Sequence, residues 1–314
     1  MKKFRIGHLT TAYHTCFILM RTGWIKKRTD LKTEWTLFPT GPEMIKAFSR
    51  NELDVGYVGL PPAIIGIDKS LQVKCVAGGH MEGTVLIAKK EFRPLKDLGS
   101  MKETLNQFIG KAIGTPTRGS IHDVIIRKLI NEAGLQDKVA VKNFEWADFI
   151  IDAMGDGVVE GGCGTPPLAV LASRMLGAKV ILPANVMWPN NPSYGIVATV
   201  DMIENFTEAL EGFLRLHEEA CNLIRTKPEN AAEIVAKTIG IIDEDFMLEV
   251  YRVSPKYCAS LPSEYINSAM AFMPVLHSLG YISRPLTKND VFHTELIEKI
   301  HPEKPHYSDP GMLG

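Results

Sequence analysis

Residues 41–58 read GPEMIKAFSRNELDVGYV, an amphipathic run that leads into a short apolar one. Pro42 suits the first turn of a helix, because proline lacks a backbone N–H and first-turn N–H groups have no partner within the helix. The spacing therefore predicts a helix from about 42 to 50 and a strand over 55–58. A helix followed by a buried strand is typical of α/β proteins, in which parallel strands alternate with crossover helices.

The same alternation extends to both sides of this stretch. One block has predicted strands over 4–8, 34–38, 73–77 and 84–88. A second block has predicted strands over 111–114, 139–141, 158–161 and 179–182, and one more strand follows over 195–200. The other predicted helices are 13–27, 120–133, 149–154, 167–175, 207–226, 228–238, 243–250 and 262–279. We therefore expect two α/β units, a helical C-terminal part and a loosely held tail after Pro302.

The helix over 120–133 has the fullest set of local signals. Ser120 is a good N-cap residue, because its hydroxyl can accept a hydrogen bond from a first-turn N–H group. Asp123 places a negative charge near the positive end of the helix dipole, and Gly134 provides a C-terminal stop.

Composition limits the classes of function. The chain is 45% hydrophobic and 23% charged, as is ordinary for globular proteins. Its length of 314 residues is more than one compact core usually holds, so two domains are expected. The formal net charge is -1 and the Lys and Arg residues are scattered, so no basic stripe for nucleic acid is present. No apolar run approaches the roughly 20 residues that cross a bilayer, so no membrane insertion is predicted.

The N-terminus leaves the location of the protein open. Met1, Lys2 and Lys3 could begin a signal peptide, but residues 4–9 read as a core strand rather than as an apolar signal region. As written, the chain is expected in the cytoplasm, and it is expected outside the cytoplasm if a signal peptide has been removed. Five widely spaced cysteines indicate neither a disulfide framework nor a zinc ribbon, and fit a reducing compartment or burial.

Motifs of catalysis are missing from the sequence. There is no nucleophile elbow, P-loop, HExxH or GxGxxG sequence, so no catalytic residue and no cofactor is predicted. Several residues that can bind metals or exchange protons nevertheless fall in or beside loops after predicted strands. They are His8, His14, His80, His122 and Cys163. Their spacing matches no standard motif, so a metal site is predicted only if three of them converge.

Three segments together resemble the type II periplasmic-binding-protein family, in its nitrate, sulfonate, taurine and hydroxymethylpyrimidine branch, over roughly residues 4–300. The segments are residues 41–56, GKAIG at 110–114 with GS at 119–120, and DAM at 152–154 with GVV at 157–159 and TPP at 165–167. Two positions depart from the family pattern. Asn51 stands where a glycine is usual, and Cys163-Gly164-Thr165 precedes Pro166 without the usual acidic residue.

The resemblance implies a two-lobed α/β protein, each lobe a mainly parallel sheet flanked by helices, joined by two crossover segments. Lobe I is expected to comprise residues 1–88 and 195–314, and lobe II residues 89–194, with crossovers near 88–90 and 183–194. The resemblance also implies a monomer that closes by hinge motion around a small molecule, with the permease of an ABC transporter as a partner.

Ligands of open α/β sheets bind beyond the carboxyl ends of the strands, so the loops there supply the candidate site residues. At the start of the helix over 120–133, hydroxyls, one guanidinium and free N–H groups could receive an anion, although Ser120 could simply cap the helix and Arg118 could be a solvated charge. Trp188 is the preferred aromatic wall, with burial in a core as the alternative. The predicted ligand-binding residues are Thr10, Thr11, Tyr13, Gly59, Leu60, His80, Thr115, Thr117, Arg118, Gly119, Ser120, Gly164, Thr165 and Trp188.

The leading hypothesis is a solute-binding protein of an ABC-type importer that closes around a small anionic organic ligand of the sulfonate, nitrate-like or pyrimidine class. The alternative is a cytoplasmic biosynthetic enzyme on the same fold, of the thiamine-pyrimidine or menaquinone type, because fold does not fix function. Residues 161–164 hold one cysteine only, which differs from the cysteine-rich signature of the pyrimidine synthases. A ligand sensor is a third hypothesis, with no appended domain to support it.

Overall fold

The computed structural model describes residues 3–308. The strands are β1 (Lys3–Leu9), β2 (Lys32–Phe38), β3 (Val55–Val58), β4 (Val73–Met81), β5 (Val85–Ala88), β6 (Ala112–Pro116), β7 (Ala140–Phe144), β8 (Gly161–Gly164), β9 (Lys179–Leu182) and β10 (Pro192–Thr199). The first helices are α1 (Cys16–Thr22), α2 (Trp24–Arg28), α3 (Gly41–Ser49), α4 (Leu60–Asp68), α5 (Leu95–Leu98), α6 (Met101–Asn106), α7 (Ile121–Glu132), α8 (Phe149–Gly155) and α9 (Pro166–Leu176). The later helices are α10 (Ala184–Met187), α11 (Val200–Asn205), α12 (Thr207–Thr226), α13 (Pro228–Ile239), α14 (Glu244–Val253), α15 (Ser263–Met270), α16 (Phe272–Ser278), α17 (Lys288–Val291) and α18 (Glu295–Ile300).

Two five-stranded sheets form the frame of the molecule. The first has the order β2-β1-β3-β10-β4, with β1 parallel to β2 and β3, and β10 antiparallel to β3 and β4. The second has the order β7-β6-β8-β5-β9, with β6 parallel to β7 and β8, and β5 antiparallel to β8 and β9. The predicted two-lobed α/β fold is confirmed, and each sheet is mixed because one strand in each runs against its neighbours.

Strand pairing also bears on where the chain passes from one sheet to the other. Strand β5 (Val85–Ala88) pairs with strands of the second sheet. The predicted lobe I, which ends at residue 88, had grouped this strand with the first sheet. The passages therefore lie at residues 82–84, between β4 and β5, and at 183–191, between β9 and β10. The assignment of residues 1–88 and 195–314 to one lobe and 89–194 to the other stays a prediction.

Several predicted elements change in detail. The helix expected over 13–27 breaks at Gly23, whose φ of 63° ends α1 and starts α2. The strand expected over 158–161 begins only at Gly161, because Gly157, with a φ of 71°, still belongs to the turn after α8. The tail predicted to be loosely held is anchored as far as Tyr307, which is 4% exposed and donates a hydrogen bond to the Cys258 carbonyl at 2.6 Å.

The core explains which helices fix the two sheets. Helix α7 keeps its predicted start, since the Ser120 hydroxyl accepts a hydrogen bond from the Asp123 N–H at 3.3 Å. It packs against β6 and β8 of the second sheet and also against α4, α10 and α16.

All five cysteines are buried free thiols, which confirms burial as their setting. Within residues 3–308, no helix combines the length and hydropathy that a membrane span requires.

Candidate functional site

A cavity of about 80 Å³ lies between the two sheets. The loop after β1 contributes Thr10, Thr11 and Tyr13 to its wall, and β10 contributes Ser193. The rest of the wall comes largely from the N-terminal ends of helices of both sheets. These residues are Thr40, Gly41, Gly59, Pro62, Ser120, Ile121, His122, Thr165, Pro167 and Leu168. Side chains attached to both sheets therefore enclose one space.

Five helices begin at this cavity, namely α3, α4, α7, α8 and α9. Their aligned dipoles give it a positive potential, which favours an anion or an acceptor oxygen. Three of them carry proline in the first turn, so they offer fewer N–H donors than an ordinary helix start. Hydroxyls must therefore supply part of the hydrogen bonding.

Gly59 allows the two lobes to approach closely at this point. A Cβ atom here would lie 3.4 Å from Ile121 Cβ and 3.4 Å from the Ser193 carbonyl oxygen. Those two atoms belong to α7 and β10, so the glycine sits where three elements meet. Because Gly59 has no side chain, α7 and β10 can approach its backbone closely.

Two polar atoms of the cavity wall have no hydrogen-bond partner among residues 3–308. They are Nδ1 of His14 and Oγ1 of Thr40, both in residues less than 5% exposed. Burial, followed by the neighbouring His80, His8 and His217, holds the pKa of His14 well below its usual value, so its imidazole is neutral near pH 7. A buried polar group without a partner costs free energy, so both residues are candidates to contact a ligand when the lobes rearrange around it.

The charge of the cavity wall is slight. No lysine or arginine of the described chain lines it, and its one carboxylate belongs to Asp148. Burial, and then the nearby Asp152 carboxylate, raises the pKa of Asp148. Burial lowers the pKa of His122 to about 4, so this second lining histidine is also neutral. Any anion in the cavity is therefore met by dipoles and hydroxyls rather than by a cationic side chain.

Six of the predicted ligand-binding residues reach this cavity, namely Thr10, Thr11, Tyr13, Gly59, Ser120 and Thr165. Thr115 and Gly164 lie just behind the wall, buried in β6 and β8. Leu60 is fully buried in the core, and the Thr117 hydroxyl donates to the Phe144 carbonyl at 3.4 Å. Contact of the six with a ligand stays a prediction.

Arg118, Gly119, His80 and Trp188 do not line this cavity in the described chain, and their contact with a ligand stays a prediction. Arg118 points away from the cavity, and its Nε donates to the Tyr281 hydroxyl at 3.2 Å. Arg118, Gly119 and Tyr281 line a separate groove on the outer surface. Trp188 stacks on Phe272 at 4.0 Å, a contact within the core. His80 is held below the cavity, with Nδ1 3.0 Å from Ser193 Oγ, and burial lowers its pKa to about 3.

The histidine and cysteine candidates for a metal site do not converge within the described chain. Nδ1 of His122 lies 2.9 Å from Thr84 Oγ1, and Sγ of Cys163 donates to the His122 carbonyl at 3.5 Å. Nδ1 of His8 lies 3.1 Å from the Leu9 carbonyl oxygen. No three of His8, His14, His80, His122 and Cys163 form a group with the spacing of metal ligands.

Sequence reasoning missed Thr40, Asp148 and Ser193 and named His14 only as a metal candidate. Thr40 directly precedes Gly41-Pro42 at the carboxyl end of β2, so the rule that ligands bind beyond strand ends could have found it. Asp148 lies in the loop after the parallel strand β7, so the same rule could have found it, and Ser193 falls in the predicted crossover at 183–194, where no local pattern singles it out.

The fold and the cavity together define a two-lobed protein of the periplasmic-binding-protein-like class. Residues 1–240 match the model of the NMT1-like family, so the chain belongs to that family. A putative aliphatic sulfonates-binding protein of Escherichia coli (strain K12) is 23% identical over 217 residues, which are 69% of this chain and 65% of that relative. The match thus spans slightly less than two thirds of the relative's length.

Solved structures share the fold at low sequence identity. A ligand-binding component of an ABC-type import system from Staphylococcus aureus, with zinc bound, has a TM-score of 0.79 at 14% identity, covering 96% of this chain and 100% of that one. The alkanesulfonate-binding protein of Xanthomonas axonopodis pv. citri, bound to MOPS, has a TM-score of 0.78 at 13% identity, covering 92% and 98%. The nitrate-binding protein of Synechocystis PCC 6803 has a TM-score of 0.74 at 12% identity, covering 95% and 88%.

Proposed function

We propose that this protein is a solute-binding protein of an ABC-type importer, which closes reversibly around one small organic molecule. The observation that carries the proposal is the pair of buried, unpartnered atoms in the cavity wall, His14 Nδ1 and Thr40 Oγ1. Leaving such an atom unpaired costs about 1–3 kcal/mol, and a bound ligand offsets that cost. The names of the relatives support solute binding and do not support the enzyme alternative.

The ligand class follows from the charge of the cavity. Five helix N-termini and several hydroxyls favour a small ligand with an anionic or strongly accepting group, such as a sulfonate, a nitrate-like ion or a polar pyrimidine. Asp148 opposes an anion at its own end of the cavity. We therefore propose that the anionic group lies toward Thr10, Thr11 and Thr40, and that an uncharged or cationic part faces Asp148.

Exchange of the ligand requires motion of the lobes. The cavity of about 80 Å³ is much smaller than the roughly 300–1,000 Å³ of ordinary small-molecule pockets, so the lobes must part to admit a ligand. We propose that residues 82–84 and 183–191 act as the hinge, and that the permease of the transporter recognises the closed form. Binding then shifts the protein from open to closed conformations.

Calorimetric titration with an alkanesulfonate, nitrate and a hydroxymethylpyrimidine tests the proposal, together with native mass spectrometry of freshly purified protein. We expect saturable binding of at least one probe, or a co-purified small molecule. The Thr40→Val exchange should weaken that binding about five- to tenfold, since about 1 kcal/mol of hydrogen bonding is lost. It should not lower the stability of the free protein, because Oγ1 has no partner there.

Thr226→Val is the matched control, since its hydroxyl donates to the Asn222 carbonyl on the exposed face of α12. This variant should leave ligand affinity unchanged. Absence of any bound mass together with no response to all three probes would contradict the proposal. Conversion of a probe into a product would instead establish the enzyme alternative.

A further inference from the structure

Far from the cavity, three potential metal ligands come together where the C-terminal segment folds back on lobe I. Sγ of Cys258 lies 3.3 Å from Nε2 of His301, and this nitrogen lies 3.9 Å from Oε1 of Glu218. The three ligand atoms all fall within 4.8 Å of one another. Glu218 comes from α12, Cys258 from the segment between α14 and α15, and His301 from the end of α18.

The surroundings of the sulfur and the carboxylate fix their positions. Ser260 Oγ lies 3.0 Å from Cys258 Sγ, and the His306 backbone N–H donates to Sγ at 3.5 Å. Glu218 Oε2 accepts from the Ala259 N–H at 2.7 Å, so its Oε1 is directed toward the histidine. Hydrogen bonds of this kind orient the ligands of metal sites.

The geometry points to a zinc site formed by Glu218, Cys258 and His301. Zinc prefers thiolate, imidazole and carboxylate ligands in a tetrahedron. With Zn–S near 2.3 Å and Zn–N near 2.0 Å, the ligand atoms of such a tetrahedron lie about 3.3–3.6 Å apart. The sulfur-to-nitrogen separation of 3.3 Å lies within this range, and the nitrogen-to-oxygen separation of 3.9 Å exceeds it by a few tenths of an ångström.

A second histidine, His306, and a surface groove lie beside these three ligands. The ring of His306 lies 5.0 Å from that of His301, and these two residues with Glu303 form a second group whose ligand atoms fall within 4.8 Å. A groove of about 380 Å³, lined by Glu218, Glu303 and His306, gives an ion access from solvent. Arg225 also contacts Glu218 Oε1, at 2.8 Å, and its charge opposes the cation. The anionic Cys258 and Glu218 ligands offset that charge.

This site has a structural role rather than a role in the cavity. Among the described residues, none of its three ligands lines the space between the sheets. The same segment is held by Tyr307, whose hydroxyl donates to the carbonyls of Cys258 and Ser260 at 2.6 Å and 3.0 Å. Zinc would therefore fasten residues 301–307 to lobe I and raise the unfolding temperature without changing ligand affinity in the cavity.

The test uses the full chain, stripped with a chelator and titrated with zinc chloride or cobalt chloride alone. We expect one equivalent of zinc by native mass spectrometry, a higher unfolding temperature, and a thiolate-to-cobalt charge-transfer band in the near ultraviolet. Cys258→Ser should abolish the band and weaken zinc binding at least tenfold. Cys75→Ser is the matched control, because Cys75 is equally buried and its Sγ donates to the Ala77 carbonyl at 3.3 Å.

Two results would overturn the assignment. One is the absence of stoichiometric zinc on the wild-type chain, and the other is a cobalt spectrum that Cys258→Ser leaves unchanged. If Cys258→Ser does not fold, Glu218→Gln takes its place, since Glu218 is accessible from the groove. That exchange must also cost at least tenfold in zinc affinity, and an unchanged affinity contradicts the site.

Discussion

At the scale of single residues, Asp148 reports the charge of the ligand. It is the one carboxylate of the described cavity wall, and lysine and arginine are missing from that wall. If the ligand is anionic, Asp148→Asn removes a repulsion of about 1 kcal/mol and should strengthen binding about fivefold in calorimetric titration. Asp152→Asn is the control, because Asp152 is exposed on α8 outside the wall and should change affinity little. Weaker binding to Asp148→Asn would show that the ligand presents a cation or a donor to this residue.

Gly79 tests how tightly the layer below the cavity is packed. A Cβ atom at this position in β4 would lie 2.1 Å from Cε2 of the fully buried Tyr194 ring. Gly79→Ala should therefore lower the free energy of unfolding by about 2–3 kcal/mol, measured by urea denaturation, because the core has no room for the ring to move. In contrast, Gly212→Ala on α12 has 3.4 Å to its nearest neighbour and should be neutral or stabilising by up to about 1 kcal/mol. Equal effects of the two exchanges would contradict this account.

Which residues of the candidate site could be predicted from sequence depends on what fixes each side chain. Thr11 and Thr165 were found because strand ends and helix starts can be read locally. Arg118 and Trp188 lie in loops of the same kind, yet one turns to Tyr281 on the surface and the other packs on Phe272. Their directions depend on residues more than 80 positions away in sequence, which no local pattern contains.

At the scale of elements, Asp123 joins the start of α7 to its surroundings. Its fully buried carboxylate accepts from the Gly119 N–H at 3.0 Å, Arg127 Nε at 2.7 Å, Asn143 Nδ2 at 2.9 Å and the Tyr281 hydroxyl at 2.8 Å. Asp123→Asn leaves the Arg127 guanidinium without its anionic partner. It also replaces one of the two accepting oxygens by an NH₂ group, which faces donors instead of acceptors. We expect a loss of about 2–3 kcal/mol in the free energy of unfolding.

The matched control is Asp156→Asn, at the exposed C-terminal end of α8, where little change is expected. Chemical denaturation of both variants and the wild type at pH 7 measures the difference. A cost below about 0.5 kcal/mol for Asp123→Asn would show that the neutral amide satisfies the same four partners, and that charge is not needed at the start of α7.

Element boundaries followed the sequence wherever a local signal marks them. Strand β3 and helix α12 have the predicted limits, and α7 begins after Ser120 as its N-cap predicts. Two errors fall where backbone geometry decides: the positive φ of Gly23 ends α1 inside a predicted helix, and the positive φ of Gly157 keeps the predicted start of β8 in a turn. The antiparallel course of β10 could not be read from the chain, since strand direction depends on which sheet the returning segment joins.

At the scale of the whole molecule, different elements form the cavity and complete the core. The loops and helix starts between the sheets form the cavity, whereas α12, α15, α17 and α18 pack against strands of the first sheet. Each sheet receives one antiparallel strand just after the chain crosses over, β5 in the second and β10 in the first. These crossovers are adjacent in space, because β4 pairs with β10 through Met81 and Pro192. Two short segments side by side are suited to a single hinge.

Buried neutral histidines make the stability of the whole protein depend on pH. Burial is the main cause that lowers the pKa of His80 to about 3 and of His217 to about 4, with Lys256 lowering the first further and Glu218 partly raising the second. In the unfolded chain both titrate near 6.5. The unfolded state therefore binds more protons below pH 6.5, so stability is full above about pH 7 and falls as the pH drops toward 4.

Each such histidine contributes up to about 1.4 kcal/mol per pH unit in this window, so the free energy of unfolding should fall by more than 1 kcal/mol between pH 6.5 and 5.5. Urea denaturation at pH 7.5, 6.5 and 5.5 measures it, in a range where most carboxylates stay ionised. His217→Gln should lower stability at pH 7.5, because contacts to Thr15 and Gly78 at 2.8 Å are lost, yet flatten the dependence on pH. A wild-type protein equally stable at pH 7.5 and 5.5 would mean that these histidines are protonated in the folded state and that solvent reaches the layer beneath the cavity.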